Sequence, residues 1–269
     1  MENKDTLAYG SFSENRWVYP DDGIEVCNGK KIVLHCARGG NVLTQLLTDL
    51  QVQEGDPLRY SVAGANGVVV IPYQLVPVTV TKNSAPLGRP HTTDNYEEVK
   101  DFVTRKAPFD VYDATAPVDN GLVYTGRLAL ALRFTSAATT MAGVQHITVT
   151  FQFESSVMSV PVELHIHKAV IPTVQKSKLW VTNWILPDKI VEQAECGYYT
   201  DDYWEVFNNL LAHLVDIRNN HLSIACPGPH DPDEAVFDED GNVVDFDLSH
   251  LEKALQLAEK AGMTKLYEA

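Results

Sequence analysis

From Lys178 onward the sequence alternates between strand-like and helix-like stretches, and that order restricts the fold more than any motif does. Residues 179–184, 222–226 and 264–268 are β-type runs, and two amphipathic segments, 201–219 and 248–261, lie between them. Strands alternating with helices build a parallel sheet with the helices packed on it. A closed (β/α)8 barrel takes eight such units, whereas residues 178–269 hold three strands and two helices. The expected arrangement is therefore the opening of something longer. A small completed sheet is the alternative.

The preceding residues carry a different period. Short β-type runs at 31–36, 42–47, 68–71, 75–81, 128–134, 145–153 and 157–167 are separated by Gly, Pro, Asn and Asp. In 145–153 the residues Ile147, Val149, Phe151 and Phe153 share one face, and Val160, Val162, Leu164 and Ile166 do so in the next run. Alternation of this kind marks a half-buried sheet, and strands in this number point to an antiparallel β-sandwich. Residues 88–106 are polar, without a periodic face, and read as a long loop. Residues 169–177, with Pro172, read as a connection. The expected division is a β-sandwich over 1–176, followed by the first βαβαβ units of an incomplete (β/α)8 barrel over 177–269.

Local signals refine the second part. Thr200 is placed to cap a helix with Asp201 and Asp202 in its first turn, where acidic groups suit the helix dipole. Trp204, Phe207, Leu211, Leu214 and Ile217 form one apolar stripe, and Asn219-Asn220 ends it. Asp247 is the expected N-cap of the next helix and Gly262 its C′ residue. Residues 235–246 read as a hairpin turning at Asp240-Gly241.

Composition excludes some partners. The chain is 45% hydrophobic and 21% charged, which suits a globular protein. Its net charge is −15, of which −12 falls in residues 178–269. Nucleic acid and anionic membrane are poor partners for such a surface. The start Met1-Glu-Asn-Lys-Asp-Thr lacks the pattern of a secretory signal, and no apolar run reaches the length of a membrane span. A cytoplasmic location is expected. Cys27, Cys36, Cys196 and Cys226 show no metal-ligand spacing; pairing of Cys27 with Cys36 across a hairpin stays open.

Several stretches together resemble one family. Ala107-Pro-Phe-Asp-Val-Tyr-Asp-Ala-Thr-Ala-Pro117 is similar to a segment in the β-sandwich of family 123-like glycoside hydrolases. The run 179–184, Tyr203-Trp204 opening a helix that ends Arg218-Asn-Asn-His221, and Asp245-Phe246-Asp247 leading into 251–262 resemble the start of that family's barrel. The resemblance covers about residues 15–269. It implies a β-sandwich joined to a (β/α)8 barrel and retaining hydrolysis of β-linked N-acetylhexosaminides, assisted by the substrate's acetamido group. It also implies an adjacent Asp and Glu at the end of a central barrel strand, the Glu as proton donor and the Asp orienting the acetamido group. That pair is expected downstream of this chain, so no catalytic residue is assigned within it and no cofactor is called for.

Other candidates are weighed on chemistry. Asp233-Glu234 is an adjacent pair, but it lies in an acidic loop outside any expected strand, where barrel catalysts do not sit. Asp238-Glu-Asp-Gly-Asn242 suggests a calcium loop, yet with Gly241 sixth, Val236 would be the first ligand and offers no oxygen. His165 and His167 face one side of a strand, but a third metal ligand is lacking. Asn183 and Trp184 close the first barrel strand, where an aromatic face can receive a sugar ring; a core or interdomain tryptophan is the competing reading. His230 and Glu268 end the next two strands and join the same rim. A Ser-His-Asp set, a P-loop and a dinucleotide fingerprint are missing. The expected partner is a carbohydrate; a non-catalytic carbohydrate-binding or scaffold sandwich is the alternative.

Overall fold

The leucines and alanines of Leu128-Ala-Leu-Ala-Leu132 are all buried, so the strand that carries them is covered on both faces. The computed structural model that shows this describes residues 5–84, 92–93, 95–224 and 235–263. The chain divides into two compact units, residues 1–171 and 172–269.

The first unit is built of strands β1 (Asp5–Thr6), β2 (Tyr9–Ser13), β3 (Ile32–Arg38), β4 (Asn41–Val52), β5 (Arg59–Ala63), β6 (Val68–Val80), β7 (Asn83–Ser84), β8 (Thr92–Thr93), β9 (Phe109–Pro117), β10 (Gly126–Ser136), β11 (Gly143–Gln152) and β12 (Ser156–Val170). In one sheet β12 is flanked on one side by antiparallel β11, which pairs β5, and on the other by parallel β1 and β3. The second sheet runs β2-β4-β10-β6-β9, antiparallel throughout. The two sheets share one core: Leu128, Leu130, Leu132 and Phe134 from β10 pack with Ile147, Val149 and Phe151 from β11 and Met158, Val160, Val162, Leu164 and Ile166 from β12. These are the alternating positions of the sequence. Burying each such side chain contributes about 1.5–3 kcal/mol.

Prolines explain where the strand boundaries depart from expectation. The runs 68–71 and 75–81 are a single strand, β6, despite Pro72 and Pro77. β6 pairs β10 over Val68–Gln74 and β9 over Tyr73–Val80. Each proline thus lies where the strand has a neighbour on one side only, so its missing N–H breaks no ladder. Pro161 in β12 falls likewise between the stretch paired to β1 and the stretch paired to β3. β12 extends to Val170, so Ala169 and Val170 belong to the strand and not to a connection. The expected loop 88–106 lies partly outside the described residues; within it, β8 pairs β7 and a short 3-10 turn spans Tyr96–Glu98.

The outer face of the second sheet is covered by the segment after β2. Val18 packs with Leu47, Leu75, Tyr112, Ala129 and Ala131, which is why small alanines alternate with the leucines of β10. Arg127 fastens this strap. Its guanidinium donates to the carbonyls of Thr48, Pro20 and Asp22 at 2.7, 2.9 and 2.6 Å and to Asp49 at 2.7 Å. Tyr112 N–H donates to Val18 C=O at 3.0 Å, and its hydroxyl donates to Arg127 C=O at 2.8 Å.

The second unit holds β13 (Trp184–Ile185), α1 (Pro187–Ala194), α2 (Asp201–Asp216), β14 (Ser223–Ile224), β15 (Ala235–Phe237), β16 (Val243–Phe246) and α3 (Ser249–Ala261). Here the differences are larger. The expected strand 179–184 is reduced to β13, which pairs in parallel with β14 over two residues. The segment before it is held by isolated bonds instead of a ladder: the buried Asn220 side chain accepts from Val181 N–H at 3.0 Å and donates to Leu179 C=O at 2.9 Å, and the backbone N–H groups of Asn220 and His221 donate to Val181 C=O at 3.0 and 3.2 Å. Such bonds tether the chain without extending a sheet. The second expected strand, 222–226, is β14 as far as it is described, and the third, 264–268, lies outside the described residues. Among the described residues of this unit β13–β14 is the one parallel pairing, which does not show a barrel.

The helices are closer to expectation. Thr200 Oγ1 accepts from Tyr203 N–H at 3.3 Å and starts α2. Tyr203, Trp204, Phe207, Leu211 and Leu214 are buried with Ile185, Leu222, Ala254 and Ala258. Ile217 leaves the stripe: it follows the helix end and is exposed. α1 is an addition to the expected elements, with Pro187 at its first position and Asp188 in its first turn as start signals. α3 ends at Gly262 in the left-handed region, φ 107°, but its N-cap is Leu248. Asp247 acts one residue earlier, accepting from Ser249 N–H at 2.9 Å, and this bond holds its carboxyl below the usual range.

Candidate functional site

Trp184 is the most exposed tryptophan described, at 81%. It opens β13 instead of closing a strand, so the chain turns into α1 immediately after Ile185 and Leu186. The result is a depression of about 450 Å³ lined by Trp184, Ile185, Leu186, Lys189, Ile190, Gln193, Ala194, Val206 and Leu210. The α1 stripe and the outer flank of α2 supply its walls. An indole beside a shallow apolar floor can receive the C–H face of a ring, and Gln193 offers an amide at the edge. The Lys189 ammonium is held by Glu192, which raises its pKa.

Among the described residues no carboxylate lines the depression. A group that protonates a leaving oxygen must stand within hydrogen-bond reach of it, and none of the described lining residues is a carboxylic acid. What the described residues offer is an aromatic face, an apolar floor and an amide, the groups of a binding surface.

Asn183 does not join Trp184 there. Its amide donates to Asn219 Oδ1 at 3.1 Å, and Asn219 in turn donates to His221 C=O at 2.8 Å. With Asn219 and Asn220 both fully buried, the Asn-Asn pair after α2 is a hydrogen-bonding staple for residues 174–183. His230 and Glu268, expected on the same rim, lie outside the described residues, as do Asp233, Glu234 and Cys226.

The remaining candidates resolve into structure. Asp238 accepts from the backbone N–H groups of Asp240 and Asn242 at 3.0 and 2.7 Å and closes the β15–β16 turn. Its pKa is lowered first by the Asn242 side chain and then by these backbone bonds. His165 and His167 do face one side, where His35 of β3 joins them: His35 Nδ1 lies 3.2 Å from His167 Nε2, and its ring centroid is 4.6 Å from that of His165. Glu163 binds His165 at 2.9 Å and Lys31 at 3.3 Å, and those partners, His165 first, hold its carboxyl below the usual range. Nothing local in the sequence links His35 to His165 and His167, because pairing of β3 with β12 spans more than a hundred residues. Among the described residues no three His, Cys, Asp or Glu side chains converge as a metal site. Cys27 and Cys36 are both free thiols; Cys27 contacts Ser11 and Glu25 C=O, while burial pushes the Cys36 thiol up. No described helix is long and apolar enough to cross a membrane.

No protein-family model matches the sequence, and no curated protein does. Solved structures do match. A putative membrane anchored protein from Corynebacterium diphtheriae is 11% identical over 64% of this chain and 38% of its own, but its TM-score of 0.28 carries no argument. A family 123 glycoside hydrolase from Clostridium perfringens, studied for glycolipid glycan hydrolysis, aligns with 97% of this chain and 46% of its own at a TM-score of 0.68 and 10% identity. The chain thus spans about half the length of that enzyme and is similar to it in fold, as a distant structural relative.

Proposed function

We propose that this chain is the amino-terminal portion of a glycoside hydrolase-like enzyme acting on β-linked N-acetylhexosaminides with assistance from the substrate's acetamido group. The observation that carries the reading is the fold similarity to the family 123 glycoside hydrolase over 97% of the chain. The exposed Trp184 beside its apolar depression supports carbohydrate contact on the second unit. In this reading Trp184 receives a sugar ring, His230 and Glu268 contribute to substrate binding, and Asn183 positions the chain before Trp184 by its bond to Asn219. The Asp-Glu pair that protonates the leaving oxygen and orients the acetamido group is carried downstream of residue 269. The catalytic step needs a carboxylic acid with a raised pKa in a water-poor site, and no described carboxylate is buried.

The test is hydrolysis of aryl β-N-acetylgalactosaminide and glucosaminide. Residues 1–269 should not exceed background, and Asp233→Asn or Glu234→Gln should change nothing. A chain extended by the missing strand–helix units and an Asp-Glu pair should turn over, and Trp184→Ala should raise its KM. Turnover by residues 1–269 that disappears in Glu234→Gln would overturn the proposal.

A further inference from the structure

The stretch 107–117 carries a feature that the hydrolase reading leaves unused. It contains β9, the edge strand of the second sheet, and its pairing with β6 slips by one residue: Val76 opposes Ala114 while Pro77 opposes Tyr112. Asp113 is the extra residue. A bulge sacrifices ladder pairing and re-aims a side chain, and such bulges recur beside functional sites. Here the strand turns Asp113 and Thr115 toward a groove of about 370 Å³, within the range of small-ligand pockets.

The groove lies wholly within the first unit. Leu75 and Ala131 form its floor, and Glu14, Asn15, Arg16 and Trp17 of the strap form the wall facing β9. Trp17 is 53% exposed, an unusual position for a tryptophan in a segment whose neighbour Val18 is fully buried. Most polar groups nearby are committed. Glu14 accepts from Leu43 N–H at 3.0 Å, Gln45 donates to the carbonyls of Ser13 and Arg16, and Tyr112 donates to Arg127 C=O. Arg16 pairs with Asp22 at 3.4 Å and covers the Phe12 ring. By contrast, the side chains of Asn15, Asp113 and Thr115 have no hydrogen-bond partner among the described residues, so a carboxylate, an amide and a hydroxyl stand ready beside an aromatic ring.

That set selects a ligand chemistry. Two carboxylates, Glu14 and Asp113, disfavour a phosphate or carboxylate ligand, and Arg16 offsets part of their charge against a simple cation. A neutral molecule with vicinal hydroxyls matches: two O–H groups donate to the two oxygens of Asp113, Thr115 and Asn15 serve the remaining hydroxyls, and the ring's C–H face meets Trp17. We infer that this groove is a saccharide-binding site for a mono- or disaccharide, separate from Trp184. The inference rests on the first unit alone and does not depend on the hydrolase reading.

The experiment is a titration of the full 269-residue chain with methyl β-glycosides of galactose, glucose, N-acetylgalactosamine, N-acetylglucosamine and xylose, followed by amide and indole NMR shifts. At least one glycoside should move the Trp17 indole and Thr115 amide signals saturably. Asp113→Ala, at an exposed position and therefore harmless to folding, should weaken that binding about tenfold, the equivalent of one good hydrogen-bonding group. Trp184→Ala should leave it unchanged. The inference is overturned if no glycoside moves these signals, if Asp113→Ala binds as well as the parent, or if only tetramethylammonium binds. Failure of an extended chain to hydrolyse aryl glycosides would count against the enzyme reading and leave this result standing.

Discussion

Replacing Arg127 by glutamine tests how the strap over the second sheet is held. The guanidinium is mostly enclosed, at 15% exposure, and donates to three backbone carbonyls from two separate segments as well as to Asp49. A hydrogen bond from a charged donor contributes roughly 1.5–3 kcal/mol. Three such bonds to one side chain are not additive, and single substitutions rarely exceed about 4–5 kcal/mol. The expected loss is about 3–4 kcal/mol, or a Tm lowered by roughly 10 °C for a unit of this size. Arg127→Lys should fall between, because one ammonium cannot serve the Thr48 side and the Pro20–Asp22 side in the fork geometry that arginine offers. Urea unfolding of the full chain gives the free energy. Hydrogen exchange at Tyr112 N–H, which bonds Val18 in the strap, reports whether the loss is local. Asp49 provides the control. Its carboxylate is 73% exposed, and exposed ion pairs contribute about 0–1 kcal/mol, so Asp49→Asn should cost under about 1 kcal/mol. A loss below about 1 kcal/mol in Arg127→Gln, or an equal loss in Asp49→Asn, would refute the argument that the carbonyl bonds fasten the strap.

Two further perturbations follow from buried polar groups. Tyr9 is 1% exposed, and burial, aided by the nearby Cys27, pushes its pKa up to about 12. Between pH 10 and 12 the unfolded chain ionises this phenol while the folded one does not, so stability falls as pH rises through that window, by roughly 2 kcal/mol. Tyr9→Phe should flatten that part of the curve, and an unchanged alkaline slope would contradict it. Asn220 serves Val181, Leu179 and Val174 from a fully buried position. Asn220→Ala should therefore cost the second unit about 2–4 kcal/mol by strandedness of those groups, measured by chemical denaturation; a change within about 0.5 kcal/mol would mean that solvent replaces the amide freely.

Local features of this chain were legible because their causes are local. Period-two alternation in 145–153 and 160–166 identified the core face, since successive side chains in a strand must alternate. The Thr200 cap, the Asp240-Gly241 turn and Gly262 at the end of α3 each depend on a few consecutive residues. The resemblance carried by 107–117 also pointed to the right kind of fold neighbour, though it could not reveal what Asp113 and Thr115 face.

The rest depended on partners distant in sequence. Whether Pro72 and Pro77 break a strand turns on which edges of β6 are occupied, and those edges belong to β9 and β10. The gathering of His35 with His165 and His167 requires a parallel pairing with β12, and the groove at Trp17 exists only where a strap crosses a bulged edge. The composition and periodicity of the sequence by themselves determined that there would be a layered β unit and a unit mixing strands with helices. Only the tertiary structure decided which side chains remain exposed and unpaired, because burial and hydrogen-bond satisfaction are settled by neighbours that the chain brings together from far apart.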